Sequence, residues 1–225
     1  TDAHLAARLG PLFALRAAGL AGPARGLAYE LVGAMGCLPR ARVAALVAAL
    51  GPAERGALAA LGVSLGDHAV FLPAMRNDRT MRLRATLRRV FAGDATPARP
   101  LPAPALSHPR DCGHDAATMA ALFCLPAGPR FVRADRLEKL GREAFRRGRG
   151  GPFAIDPSWA ALVGAPQAEM EGVLRALGLR LRVEGELRLL GLPPRERRRQ
   201  RAEALRVAAI DETSPFAGLA RLVRG

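Results

Sequence analysis

Lysine is almost absent from this chain: of its 34 basic residues, Lys139 is the one lysine and the rest are arginine. Aromatic residues make up only 4% of the sequence, so any core has to be built from aliphatic side chains. No uninterrupted apolar run approaches the roughly 20 residues needed to span a bilayer, which argues against a membrane partner. The three cysteines (Cys37, Cys112 and Cys124) are odd in number and unrelated in spacing. They therefore argue against a disulfide framework and fit a reducing cytoplasm. The G-x-x-x-x-G-K-[ST] phosphate loop is missing, which excludes a P-loop ATPase site within these residues. The chain begins at Thr1 with no leader-type segment, giving the expectation of a piece of a longer protein.

What is present is positive charge, a formal +14, and it is clustered. Arg76 to Arg89 carries a local +5, Arg142 to Arg149 a local +3, and Arg195 to Arg201 a local +4. Clustered guanidinium groups attract a polyanion through counterion release, and their planar fork matches phosphate. Genome bias toward arginine accounts for the choice of basic residue but not for the net excess.

Half of the residues are hydrophobic, and alanine and leucine dominate over β-branched types, which favours helix. The expected fold is mainly α: a helical bundle followed by a small α+β, winged-helix-like part. A proline-rich stretch, DATPARPLPAPALSHP from Asp94 to Pro109, reads as an extended connector. It suggests a helical domain over 1–93, a linker over 94–112 and a second domain over 113–225. In the first half, Val43, Leu46, Val47 and Leu50 follow the spacing of a buried helix face, and Gly51-Pro52 ends one helix and opens the next. Over Arg76–Phe91, Leu83, Leu87, Val90 and Phe91 share one predicted face. Arg79, Arg82 and Arg89 lie opposite, and Arg84 and Arg88 flank the stripe.

In the second half, Phe131-Val132-Arg133 reads as a strand, Asp135–Arg147 as an amphipathic helix, and Arg146–Gly151 as a flexible basic loop. Phe153–Ile155 then reads as a short strand, Pro157–Val163 as a helix capped by Asp156, and Gln167–Leu177 as a second helix ending at Gly178. Leu179–Val183 and Glu186–Leu190 alternate on either side of a turn. Strand, helix, turn, helix, hairpin is the order of a winged helix-turn-helix. Its second helix carries Glu169 and Glu171, which would oppose a phosphate backbone, so base-specific DNA reading is disfavoured. Arg180 and Arg182 share one hairpin face by the two-residue period.

No catalytic constellation emerges. His108, Cys112, His114 and Cys124 offer soft ligands, but their spacing suits neither C-x-x-C nor H-x3-H zinc pairs, and Cys124 reads as part of an apolar helix. Asp211-Glu212-Thr213 reads as a helix-ending loop. His4 and His68 belong to no sequence pattern that pairs them with a catalytic carboxylate or nucleophile, and Trp159 and Tyr29 read as core or interface anchors.

Four collinear stretches carry a family resemblance: Leu61–Gly66 with Val70–Ala74, Gly128–Leu140, Leu162–Gly164 with Val173–Gly178, and Ser214–Ala217 followed by Leu219. In order and spacing they resemble the region after the motor domains of Suv3-like, DExH-type ATP-dependent RNA helicases of alphaproteobacteria. The resemblance implies a non-catalytic C-terminal accessory region that guides single-stranded RNA. ATP and Mg²⁺ would belong to motor domains of the parent chain, with no cofactor in this segment. The arginines expected to contact the RNA backbone are Arg82, Arg88 and Arg89; Arg146, Arg147 and Arg149; Arg180 and Arg182; and Arg197, Arg198, Arg199 and Arg201. Two alternatives stay open: an interaction scaffold for a ribonuclease or other partner, and a winged-helix DNA-binding regulator.

Overall fold

The computed structural model describes residues 2–93, 99–184 and 187–193. The first half contains α1 (Asp2–Ala17), α2 (Gly22–Gly33), β1 (Cys37–Pro39), α3 (Ala44–Ala49), α4 (Pro52–Ala60), β2 (Ser64–Leu65), β3 (Ala69–Phe71) and α5 (Asp78–Phe91). The second half contains β4 (Ser107–Pro109), α6 (Ala116–Ala121), β5 (Cys124–Ala127), β6 (Arg130–Arg133), α7 (Ala134–Arg149), α8 (Ser158–Val163), α9 (Met170–Ala176), β7 (Arg180–Glu184) and β8 (Leu187–Gly191). The chain is mainly α-helical, with small antiparallel sheets that join the helices.

Local chemistry explains where the helices start. Pro52 occupies the first turn of α4, where its missing N–H costs nothing, and the Glu54 carboxylate accepts the Gly51 N–H at 2.8 Å. Asn77 caps α5 by accepting the Thr80 N–H at 2.9 Å, and Asp115 caps α6 by accepting the Thr118 N–H at 2.8 Å.

One three-stranded sheet has the order β1-β3-β2, with Val70 opposite both Leu38 and Leu65. A second has the order β4-β6-β5, and β7 and β8 form a hairpin. Strand β4 lies inside the proline-rich stretch and pairs Ser107 with Val132 and His108 with Phe131. The buried side chains of both halves form one continuous core. Phe71 of the first sheet meets Phe123 of the second half edge-on, with ring centroids 5.5 Å apart.

Several sequence expectations are corrected. The face of α5 that turns inward carries Thr80, Met81, Arg84 and Ala85. Leu83 and Leu87 are only half-buried, and Val90 and Phe91 are exposed, Phe91 to 87%. The helix lies against α6, and that contact selects its inner face over the purely apolar one. Residues 146–149 are not a loop but the last turn of α7, because Gly148 is buried on the same face as Leu137, Leu140, Gly141 and Ala144. Of Phe153–Ile155, only Phe153 pairs, exchanging both backbone hydrogen bonds with Leu190. Cys124 stands in strand β5, not in a helix, because α6 ends at Ala121. The helix expected over Gln167–Leu177 opens with a 3-10 turn and becomes α-helical at Met170.

Candidate nucleic-acid interface

Helix α7 has two ends with opposite electrostatic roles. Near its start, the Glu138 carboxylate accepts three backbone N–H groups from the β2–β3 turn: Asp67 at 3.1 Å, and His68 and Ala69 at 2.7 Å each. The carboxylate comes so close to Gly66 that a Cβ there would collide with it. One turn earlier, Asp135 accepts Arg76 Nη1 at 2.8 Å, and Arg133 through Nε at 2.6 Å and Nη2 at 3.0 Å. Burial works against the Asp135 charge, yet the Arg133 hydrogen bond and the charges of Arg133, Arg76 and Arg136 hold its carboxyl below the usual range. His68 packs on Gly141, which has no room for a side chain, and its ring lies 6.0 Å from that of Phe145. Burial lowers the His68 pKa against the opposing pull of Glu138 and Asp67. A second carboxylate beside His68, in addition to its sequence neighbour Asp67, is therefore supplied by α7.

The last turn of α7 presents arginine instead. Arg146 is held by Glu143 in an exposed pair. Arg147 donates to Asp156 and lies 5.1 Å over the Trp159 ring. Arg149 is exposed, and its side chain makes no hydrogen bond or ion pair among the described residues. Leu192 packs closely on Gly148, bringing this turn beside the exit of the β7–β8 hairpin. In that hairpin Arg180 lies opposite Gly191 and Arg182 opposite Leu189. Both are exposed on one face of β7, and neither has an ion-pair partner among the described residues. The Gly148–Leu192 contact thus sets the end of α7, which carries Arg149, against the segment that follows β8.

The acidic second helix is less acidic than its sequence suggests. Glu169, just before α9, is paired with Arg130 at 3.2 Å, and Glu171 lies 3.8 Å from Arg175.

The arginines of α5 are dispersed. Arg82 is exposed and borders a cleft of about 280 Å³ between α5 and residues 102–106. Arg88 is half-buried, and its charge helps to hold the Asp115 carboxyl low. Arg89 is half-buried and donates to the Arg99 carbonyl at 2.8 Å. Arg84, expected at the flank of the apolar stripe, is fully buried with its guanidinium 5.0 Å over the Phe123 ring. None of its three nitrogens has a hydrogen-bond partner among the described residues. Burial pushes its pKa down to about 10 against the opposing effect of Cys37. No sequence signal marks Arg84 off from its neighbours, because five of the fourteen residues of this helix are arginine.

Arg197, Arg198, Arg199 and Arg201 lie outside the described residues, as does Asp211–Thr213. Trp159 is a core residue, edge-on to Phe153 at 5.8 Å, whereas Tyr29 is 79% exposed and contributes nothing to the core. His108, Cys112, His114 and Cys124 do not converge: among the described residues no three His, Cys, Asp or Glu side chains group to hold a metal ion. Among those residues, too, no helix is long and apolar enough to cross a membrane. Comparison with protein-family models, with curated proteins and with solved structures finds no match to this chain.

Proposed function

We propose that this chain is a non-catalytic accessory region of an ATP-dependent RNA helicase, which guides single-stranded RNA along an arginine-rich surface. The observation that carries this reading is the set Arg149, Arg180 and Arg182: exposed, on the end of α7 and on the hairpin that the Gly148–Leu192 contact ties to it, and without acidic partners among the described residues. Unpaired guanidinium groups on neighbouring elements hold a phosphate backbone without reading bases. The elements from Phe153 through α8, α9 and the hairpin, closed by the Phe153–Leu190 bridge, support a winged-helix-like module. ATP and Mg²⁺ would act in motor domains of the parent chain, which lie outside these residues.

The test is binding of the purified chain to single-stranded RNA and to duplex DNA of equal length across a salt series. The expected result is single-strand preference with a steep salt slope, at about −0.7 per phosphate engaged. Equal binding to both, or none near physiological salt, overturns the reading.

A second reading, a docking scaffold for a protein such as a ribonuclease, is favoured by the exposed neighbours Val90 and Phe91 at the end of α5, since contiguous apolar surface marks interaction sites. Salt-insensitive capture of a protein partner, lost in Phe91→Ser, is its expected signature.

A further inference from the structure

The cleft beside α5 has a make-up that backbone guidance alone does not require. Met81, Leu106 and Leu122 give it apolar walls, to which the rings of Pro102 and Pro104 add. At about 280 Å³ it falls just below the roughly 300–1,000 Å³ of ordinary small-molecule sites, a size for one ring system and not for a whole cofactor. Its polar groups are of mixed kind: the Arg82 guanidinium, the His108 imidazole and the Asp78 carboxylate. Arg133 also borders the cleft, but Asp135 already holds it. Burial, reinforced by the charges of Arg130 and His114, lowers the His108 pKa, leaving a neutral ring with one donor and one acceptor. Asp78 opposes an anion inside the cleft and accepts from a base N–H, whether an exocyclic amine or the ring N3–H of uracil, while Arg82 is exposed and without an ion-pair partner among the described residues.

We propose that this cleft receives one unpaired nucleobase of the RNA strand, with the adjoining phosphate held outside by Arg82. The inference rests on the RNA-guiding reading above. It deepens that reading by adding a contact to a base, which a paired base reaches only by leaving its stack. The cleft therefore selects single strands for a steric reason, in addition to the electrostatic one.

The experiment is photocrosslinking of the full chain to a short uridine-rich RNA carrying 4-thiouridine, with crosslinked peptides mapped by mass spectrometry. Crosslinks are expected at Met81 and within residues 102–108. Ala105→Trp and Ala103→Trp, two exposed positions that border the cleft, should fill it and reduce those crosslinks roughly tenfold, the loss of one base contact. Crosslinks at the hairpin and the salt slope should stay unchanged in both variants. Salt-steep binding with crosslinks confined to α7 and the hairpin overturns the base site and leaves the guiding role standing. Cleft crosslinks unaffected by either variant also overturn it. Absence of RNA binding overturns both.

Discussion

The two ends of α7 share one helix and one buried stripe, yet their charges serve opposite purposes. At the start, Asp135 and Glu138 are occupied with groups from the first half of the chain: Arg76, and the amides of Asp67, His68 and Ala69. At the finish, the arginines meet only local carboxylates, Glu143 and Asp156, and Arg149 meets none among the described residues. Cations also suit this end, where the helix dipole is negative. A cluster of like charge in sequence therefore says little about availability: Arg76 and Arg133 are locked, Arg146 and Arg147 are half-engaged, and Arg149 is open.

The largest expected effect comes from reversing the open end. Arg149→Glu, Arg180→Glu and Arg182→Glu together should weaken single-strand RNA binding roughly 100-fold near physiological salt and lower the salt slope by about 2. Their thermal stability should change by less than about 0.5 kcal/mol, as for ordinary surface positions. An unchanged slope places the phosphate contacts elsewhere. At the locked end, Glu138→Ala should cost about 2 kcal/mol in urea unfolding, because it strands backbone amides that have no other acceptor in the turn. A loss that small mutations of Glu143 reproduce equally would erase the distinction between the two ends.

Arg84 sharpens the comparison from inside the core, since its guanidinium meets Phe123 and no carboxylate. Arg84→Met should raise stability by about 1 kcal/mol, because an apolar chain of similar length avoids the desolvation of a buried charge. A marked loss would assign Arg84 a hydrogen-bonding role at the junction of the halves.

The smallest effect is in pH. Burial lowers the His68 pKa below its ordinary 6.5, so the unfolded chain takes up the proton first. The stabilising contribution is complete above about 6.5 and is lost as pH falls from there toward the folded value. His108 and His114 shift in the same direction. The midpoint of urea unfolding should therefore fall on acidification through this window, and less so in His68→Phe.

Much of the local structure was legible because its causes are local. Gly51-Pro52 and the apolar positions of α7 each act within one or two turns. The alternation of Leu179–Val183 placed Arg180 and Arg182 on one face, and the hairpin keeps them there. The inner face of α5 was not legible. Thr80 and Arg84 turn inward because α6 and Phe123 cover that side, and nothing within fourteen residues of helix encodes the neighbour. The loop expected at 146–151 is helical as far as Arg149 for a related reason: Gly148 reads as a breaker in isolation but as a contact surface once Leu192 lies on it.

The sequence by itself determined a mainly helical chain, the sign and clustering of its charge, and the caps and turns that start and stop its elements, since propensity and net charge are properties of short segments. Tertiary structure alone decided which arginines remain open to a partner. Arg76 meets Asp135 across 59 residues and Arg130 meets Glu169 across 39, so neutralisation depends on distances in space, to which position along the chain is blind.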